Sequence, residues 1–122
     1  MPGMQEFFID DLPPAMNGDE GLLRMHWTKR RKIRDKFHFL ILAKRLDKYP
    51  PDIQVEVTFT RHSTNPMDFD NLGSSFKMIG DALVRSGVLK DDSPEYISEL
   101  RLRWKKAHKR SEQGVTVKLR PV

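Results

Sequence analysis

Two pairs of aspartates enclose the 25-residue stretch that carries the clearest chemistry in this sequence. Asp68 and Asp70 open the stretch, Asp91 and Asp92 close it, and Lys77 lies between them. Carboxylate oxygens are the ligands that Mg²⁺ prefers, usually one or two of them together with water and phosphate. In a chain otherwise rich in lysine and arginine, these acids predict a Mg²⁺ site that acts on a polyanion.

The first aspartate pair is expected where an extended segment enters a helix. If residues 66–70 are extended, Asp68 and Asp70 point to the same side and Phe69 turns toward the core. Either Asp70 or Asn71 would then be the helix N-cap. The same Asp-Phe-Asp-Asn sequence is also ordinary turn and capping chemistry, so a purely structural role is the alternative.

The lysine is expected on the polar side of the helix that follows. Apolar residues at helical spacing predict a buried stripe, made of Leu72, Phe76, Ile79 and Leu83. Lys77 projects from the opposite face together with Asp70 and Asp81. The alternative for Lys77 is an exposed pair with Asp81, which would contribute only a few tenths of a kcal/mol, about 0.3.

The elements that position these residues follow from apolar periodicity. Strands are predicted at residues 5–12, 53–60, 99–104 and 115–120, and helices at 29–48 and 71–86. The last two strands are expected to form a hairpin. The β-α-β-α-β-β order predicts a single α+β domain over residues 1–122, with two helices packed on a mixed sheet.

Composition limits the classes of protein to consider. The chain has 122 residues, 38% hydrophobic and 32% charged, with a net charge of +5 and no cysteine. Disulfides, thiolate zinc sites and cysteine nucleophiles are therefore excluded. The histidines show no metal-ligand spacing, and no glycine-rich phosphate loop predicts a nucleotide cofactor. With no signal peptide and no long apolar run, a cytoplasmic protein without membrane contact is expected.

Basic residues flank the acidic stretch on both sides. One cluster comprises Lys29, Arg30, Arg31 and Lys32. A second comprises Lys105, Lys106, Lys109 and Arg110, with Trp104 at its edge. Such clusters are typical of proteins that contact nucleic-acid phosphates, and neither resembles a base-reading module. A solvated basic surface is the alternative.

The spaced residues together resemble the RusA family of Holliday-junction resolvases. The similarity covers Asp68-Phe69-Asp70-Asn71-Leu72, Lys77, Asp81-Ala82-Leu83, Gly87-Val88 and Asp91-Asp92, about a quarter of the chain. The Pro13-Pro14-Ala15-Met16-Asn17 segment is similar to the Pro-Pro-x-x-Asn motif of that family. Members are homodimeric, Mg²⁺-dependent endonucleases, often encoded by prophages, that cut four-way DNA junctions in recombination and repair.

The resemblance implies a role for each matching residue. Asp68, Asp70 and Asp92 would be the metal carboxylates, and Lys77 the helix lysine that assists near the phosphate. Asp81 matches a further acid of the family, and its role stays open.

Two positions depart from the pattern of the family. Its lysine usually follows the asparagine by three residues, where this chain has Ser74, so Lys77 lies one helical turn further along. The family also often carries a basic residue before the first acid, and this chain has Met67 there. Because of these departures, an inactive DNA-binding relative of the family is an alternative. A nuclease that prefers flaps or forks is a further alternative.

Chain geometry restricts how Asp92 can join the first aspartate pair. A helix over residues 71–86 spans about 24 Å, whereas the link 87–92 reaches at most roughly 20 Å. A site that combines Asp70 with Asp92 therefore needs a shorter or bent helix, or an Asp92 supplied by the other subunit of a homodimer.

Overall fold

The computed structural model describes residues 2–15 and 26–122, which contain two α-helices and one sheet. The elements are β1 (Gln5–Ile9), α1 (Trp27–Ala43), β2 (Val55–Ser63), α2 (Phe69–Arg85), β3 (Ile97–Lys106) and β4 (Gly114–Pro121), with a short 3-10 helix (Arg110–Glu112) before β4. The predicted β-α-β-α-β-β order of a single α+β domain is confirmed.

The four strands form one mixed sheet in the order β1-β4-β2-β3. Strand β2 is parallel to β3 on one side and antiparallel to β4 on the other, and β1 pairs antiparallel with β4. The predicted hairpin between the last two strands is wrong, because β2 lies between them. Alternation of apolar and polar residues fixes the face that a residue occupies, but it does not identify the neighbouring strand.

Both helices cover one face of the sheet, and no helix or strand of residues 2–15 and 26–122 covers the other. On the covered face, Val55, Val57 and Phe59 of β2 are fully buried and join buried residues of both helices in one core. The alternate positions form what we call the open face: Glu6, Phe8, Glu56, Thr58, Thr60, His62, Glu99, Arg101, Arg103, Lys105, Thr116, Lys118 and Arg120.

Helix α2 buries the predicted apolar stripe. Its four members are at most 5% exposed: Leu72, Phe76, Ile79 and Leu83. The helix ends at Arg85, and Gly87 follows with a φ of 83°, a conformation that glycine adopts without steric cost. This sharp stop turns the chain back along α2 immediately, which determines where Asp92 can reach.

Helix α1, at Trp27–Ala43, is shorter than the predicted residues 29–48 at its carboxyl end. The chain takes a left-handed conformation, with a φ of 51°, two residues after the helix. Phe37 and Ile41 of this helix are buried, whereas Phe39 is 66% and Leu42 46% exposed, so α1 packs on the core with a narrow apolar face. In the described part of the chain, no helix has the length and apolar character that crossing a membrane requires.

Candidate active site

Asp68 and Asp70 lie at the amino end of α2, beside the carboxyl ends of the parallel strands β2 and β3. In α/β units of this kind, ligands bind beyond those strand ends. Asp68 is the N-cap, and its Oδ1 accepts the backbone N–H of Asn71 at 2.8 Å. Asp70 falls in the first turn, where the helix dipole favours a negative charge. Both aspartates are exposed, so an ion or a phosphate can reach them.

The backbone of this segment differs from the prediction. The helix begins at Phe69, so residues 66–70 are not uniformly extended, and neither Asp70 nor Asn71 is the N-cap. Phe69 does not turn toward the core, since it is 73% exposed. Residues two apart do not face each other on a helix, so the backbone does not hold Asp68 and Asp70 side by side. Capping by Asp68 explains why the helix begins at Phe69, because a side-chain oxygen at the N-cap satisfies a helix N–H and contributes about 1 kcal/mol.

One side-chain oxygen next to the aspartate pair has no partner among the residues that the structure describes. The Oδ1 atom of Asn71 is buried and accepts no hydrogen bond from any residue in the described ranges. A buried amide oxygen without a donor is costly, so an ordered water or an ion commonly satisfies such an atom. It is a hard oxygen on the residue that follows Asp70 in the chain.

Hydrogen bonds tie the segment before α2 to the link between β3 and β4. The N–H of Ala107 donates to the carbonyl of Ser63 at 2.9 Å, and the N–H of Thr64 donates to Oε1 of Gln113 at 3.1 Å. The indole N–H of Trp104 donates to the Ser63 hydroxyl at 2.9 Å, so this tryptophan anchors the segment. The link and the aspartates therefore occupy the same edge of the domain.

A buried arginine fastens α2 to the segment after β1. The Arg61 guanidinium donates to the Pro13 carbonyl at 2.6 Å and to the Ser75 hydroxyl at 2.9 Å. Burial lowers the pKa of Arg61, but arginine stays charged in proteins. Pro13 belongs to the Pro-Pro-x-x-Asn segment, of which Met16 and Asn17 lie outside the described residues. Arg61 was missed from the sequence, although a charge at an inward position of the β2 alternation was the available signal.

Lys77 lies between two carboxylates, that of Asp81 on α2 and that of Asp92 in the segment after α2. Its Nζ is 3.5 Å from Oδ1 of Asp81 and 3.6 Å from Oδ2 of Asp92. The charge of Asp81, aided by Asp92 and opposed by partial burial, raises the pKa of Lys77. The lysine therefore stays protonated, so it can donate hydrogen bonds to a phosphate but cannot act as a base.

The structure brings Asp92 to Lys77 and not to the first aspartate pair. Oδ2 of Asp92 is 3.5 Å from the position that a Cβ atom on Gly80 would take. Gly80 is about 15 Å along the helix axis from Asp70. Within residues 2–15 and 26–122, no three acidic or histidine side chains are grouped closely enough to hold a metal ion. The short segment 87–92 thus leaves Asp92 beside the middle of α2, as the length of the segment predicts.

The donors at the start of α2 fit an ion that binds together with a phosphate. Mg²⁺ keeps several waters and is usually held by one or two carboxylates plus substrate oxygens. Asp68 and Asp70 offer two exposed carboxylates, and Asn71 offers an amide oxygen without a donor. The described residues of one chain do not fit a closed cage built by protein ligands alone.

The predicted nucleic-acid-binding residues fall into two surface groups. The α1 group, at the start of that helix, comprises Lys29, Arg30, Arg31 and Lys32. The link group, at the end of β3 and just after it, comprises Lys105, Lys106, Lys109 and Arg110. All of them except Arg30 are exposed. The link group shares its edge of the domain with Asp68 and Asp70.

A pH dependence of stability is expected from His62 on the open face. Its Nε2 is 2.9 Å from the Thr116 hydroxyl, and burial, followed by the charge of Lys105, lowers the pKa of His62 from its ordinary value of 6.5. Below that pH the unfolded chain takes up a proton here more readily than the folded chain. We expect the free energy of unfolding to decrease from pH 7 to pH 5, and His62→Gln to lessen the decrease. Urea denaturation measures both, and parallel pH profiles for the two proteins would contradict this expectation.

Comparison with known proteins adds no relative. No protein-family model matches the chain, and no curated protein matches its sequence. Function is therefore inferred from the chemistry and geometry of the site, together with the motif resemblance to the RusA family, because a fold alone does not determine an activity.

Proposed function

We propose that this protein is a Mg²⁺-dependent, structure-selective DNA endonuclease that resolves four-way junctions in recombination and repair. The observation that carries the proposal is the exposed aspartate pair at the amino end of α2, on the same edge of the domain as the basic link between β3 and β4. Hydrogen bonds of Ser63 and Thr64 tie the segment before α2 to that link. A metal-dependent nuclease needs acidic side chains that bind a hard cation and cationic side chains that bind phosphates. The RusA-like spacing of the motif supports the same activity.

Each part of the site has a distinct task in this proposal. Asp68 and Asp70 supply the carboxylates for Mg²⁺, and Asn71 supplies a neighbouring oxygen. The bound ion would polarise the scissile phosphate and lower the pKa of the attacking water. Lys77, held protonated by its acidic neighbours, steadies negative charge that develops on the phosphate.

The basic groups supply affinity for the DNA backbone. The link group lies on the same edge as the aspartates, so it can hold phosphates near the cleavage position. The α1 group offers a second set of exposed cations. Because such contacts carry little sequence information, we propose recognition by the shape of branched DNA. A cytoplasmic location is the compartment that we propose for this cysteine-free chain.

We also propose that the protein acts as a homodimer in which Asp92 serves the site of the other subunit. In one chain Asp92 lies beside Lys77 and Gly80, and Gly80 is about 15 Å along α2 from Asp70. The three-carboxylate set that the family resemblance implies therefore requires a second chain. In a two-fold dimer, each site would combine Asp70 of one subunit with Asp92 of its partner.

Mixed dimers are expected to regain activity. When Asp70→Asn and Asp92→Asn proteins are unfolded together and refolded, a shared site would be intact at about a quarter of all sites, because half of the dimers are mixed and each mixed dimer has one complete site. Nicking of a labelled junction strand measures the recovery against each variant alone. A mixture as inactive as its two components would place Asp92 and Asp70 in the same chain or remove Asp92 from the site.

The departures from the family pattern support one rival, a DNA-binding protein without catalysis. A panel of labelled DNAs separates the candidates: a four-way junction, a flap, a fork and a linear duplex, each with Mg²⁺ or Ca²⁺. We expect cutting of the four-way junction with Mg²⁺, and binding without cutting with Ca²⁺. Binding in both ions with no cutting would establish the rival. Preferential cutting of flaps or forks would establish a nuclease of different preference.

A further inference from the structure

The open face of the sheet changes character along its strands. In the half nearer the start of β2, three acids and three bases face solvent: Glu6, Glu56, Glu99, Arg101, Lys118 and Arg120. Arg101 pairs with Glu99 at 2.7 Å, and Arg120 pairs with Glu56 at 3.1 Å. This half is therefore close to neutral.

The half nearer the end of β2 carries positive charge without acids. Arg103 stands beside Thr60, and Lys105 beside His62, in the parallel register of β2 and β3. Neither Arg103 nor Lys105 makes an ion pair with any residue that the structure describes. His62 has a lowered pKa and is hydrogen-bonded, so it adds a polar group rather than a charge at neutral pH.

These two cations line a shallow groove of about 290 Å³ on the open face. Hydroxyl groups line the same groove, from Thr58, Thr60 and Thr116. Hydroxyl, guanidinium and ammonium donors together suit phosphate oxygens. The groove is also lined by Glu6 of β1 and Lys118 of β4, which stand opposite each other in the β1–β4 register. Glu6 is three strand spacings, or about 14 Å, from β3.

We propose that the half of the open face formed by Arg103, Lys105, Thr60 and Thr116 binds the phosphodiester backbone of DNA. The occupant follows from charge: the groove offers unneutralised cations and neutral donors, which complement a polyanion. A second copy of this chain fits poorly. Stacking two such faces would bring like charges together, and Phe8 is the one large apolar side chain exposed on the described open face.

This surface deepens the proposed function and rests on it. Lys105 belongs to both the link group and the open face, so the two surfaces are continuous at the end of β3. A branched DNA has several arms, and an arm leaving the aspartate edge along this face would meet Arg103 after Lys105. The open face would thus hold an arm that the nuclease does not cut.

The salt dependence of junction binding tests this surface, with a matched control on the same face. Arg103→Gln/Lys105→Gln removes two unpaired cations, whereas Arg101→Gln/Arg120→Gln removes two cations that are already paired with glutamates. Binding of a four-way junction is followed by fluorescence anisotropy in Ca²⁺ across a range of salt concentrations. We expect the slope of log K against log salt to fall by about 2 for the first variant, because each lost phosphate contact removes about 0.9. The control should keep the wild-type slope.

Four other results would overturn the inference, each in a recognisable way. Equal changes of slope in both variants would show that the effect depends only on the net charge removed and not on this surface. An unchanged slope in Arg103→Gln/Lys105→Gln, with normal wild-type binding, would show that DNA does not bind this face. It would leave the proposed function intact. A changed sedimentation coefficient at unchanged slope would make the face a contact between copies. Absence of DNA binding by the wild type would overturn the proposed function itself.

Discussion

Replacing Asp70 by asparagine is expected to slow Mg²⁺-dependent cleavage of a four-way junction by about a thousandfold or more. A bound ion supplies several kcal/mol of transition-state stabilisation, and each 1.36 kcal/mol lost is about a tenfold loss in rate. Asp70 is exposed in the first turn of α2, so the fold should lose only the dipole interaction, about 0.3–1 kcal/mol. Single-turnover cleavage of a labelled junction measures the rate.

The matched control is Asp52→Asn. Asp52 is also exposed and makes no ion pair with a described residue, and it lies in the turn before β2 rather than at α2. The Asp52→Asn protein carries the same chemical change and should cut the junction at the wild-type rate. If Asp70→Asn cut the junction as fast as Asp52→Asn, the aspartate pair would have no part in the chemistry.

Replacing Gly114 by alanine is expected to destabilise the fold by about 3 kcal/mol or more, at the upper end of the cost of overpacking. An added Cβ would collide with the backbone carbonyl of Ile9 and lie 2.5 Å from Cζ of the Phe8 ring. The ring can move, but the carbonyl belongs to the strand that pairs with β4, so relief requires β1 to shift. Urea denaturation measures the loss.

Gly73→Ala serves as the comparison for Gly114→Ala. An added Cβ at Gly73 would meet only Cδ1 of Leu102, at an ordinary 3.7 Å. Gly73 lies inside α2, where alanine is favoured over glycine by about 1 kcal/mol, so this variant should be more stable than the wild type. Equal stability of both variants would mean that β1 does not pair with β4 across Gly114 as described.

Much of α2 and its surroundings could be predicted from the sequence because local patterns determine them. The stripe from Leu72 to Leu83 repeats at the helical period and is buried as predicted. The opposite placement of Lys77 and its contact with Asp81 follow from the same period. The segment 87–92 is too short to bring Asp92 to the start of α2, and this also follows from chain dimensions alone.

Features that depend on distant contacts could not be predicted in this way. The alternation in β3 and β4 gave their faces correctly, but β2 takes both as neighbours, and no local pattern encodes that choice. The predicted start of α2 is two or three residues late, because Asp68, Asp70 and Asn71 are all good capping residues. The basic half of the open face depends on the register that places Arg103 beside Thr60, which no local pattern encodes.

The position of the bound ion tests the central claim most directly. Mn²⁺ can take the place of Mg²⁺, and its paramagnetism broadens the amide signals of nearby residues in ¹⁵N-labelled protein bound to a non-cleavable four-way junction. We expect the strongest broadening at residues 68–71, and its loss in Asp70→Asn. Unbroadened signals at residues 68–71 in the wild-type complex, with the ion bound elsewhere or not at all, would contradict the claim that this aspartate pair holds a metal against DNA.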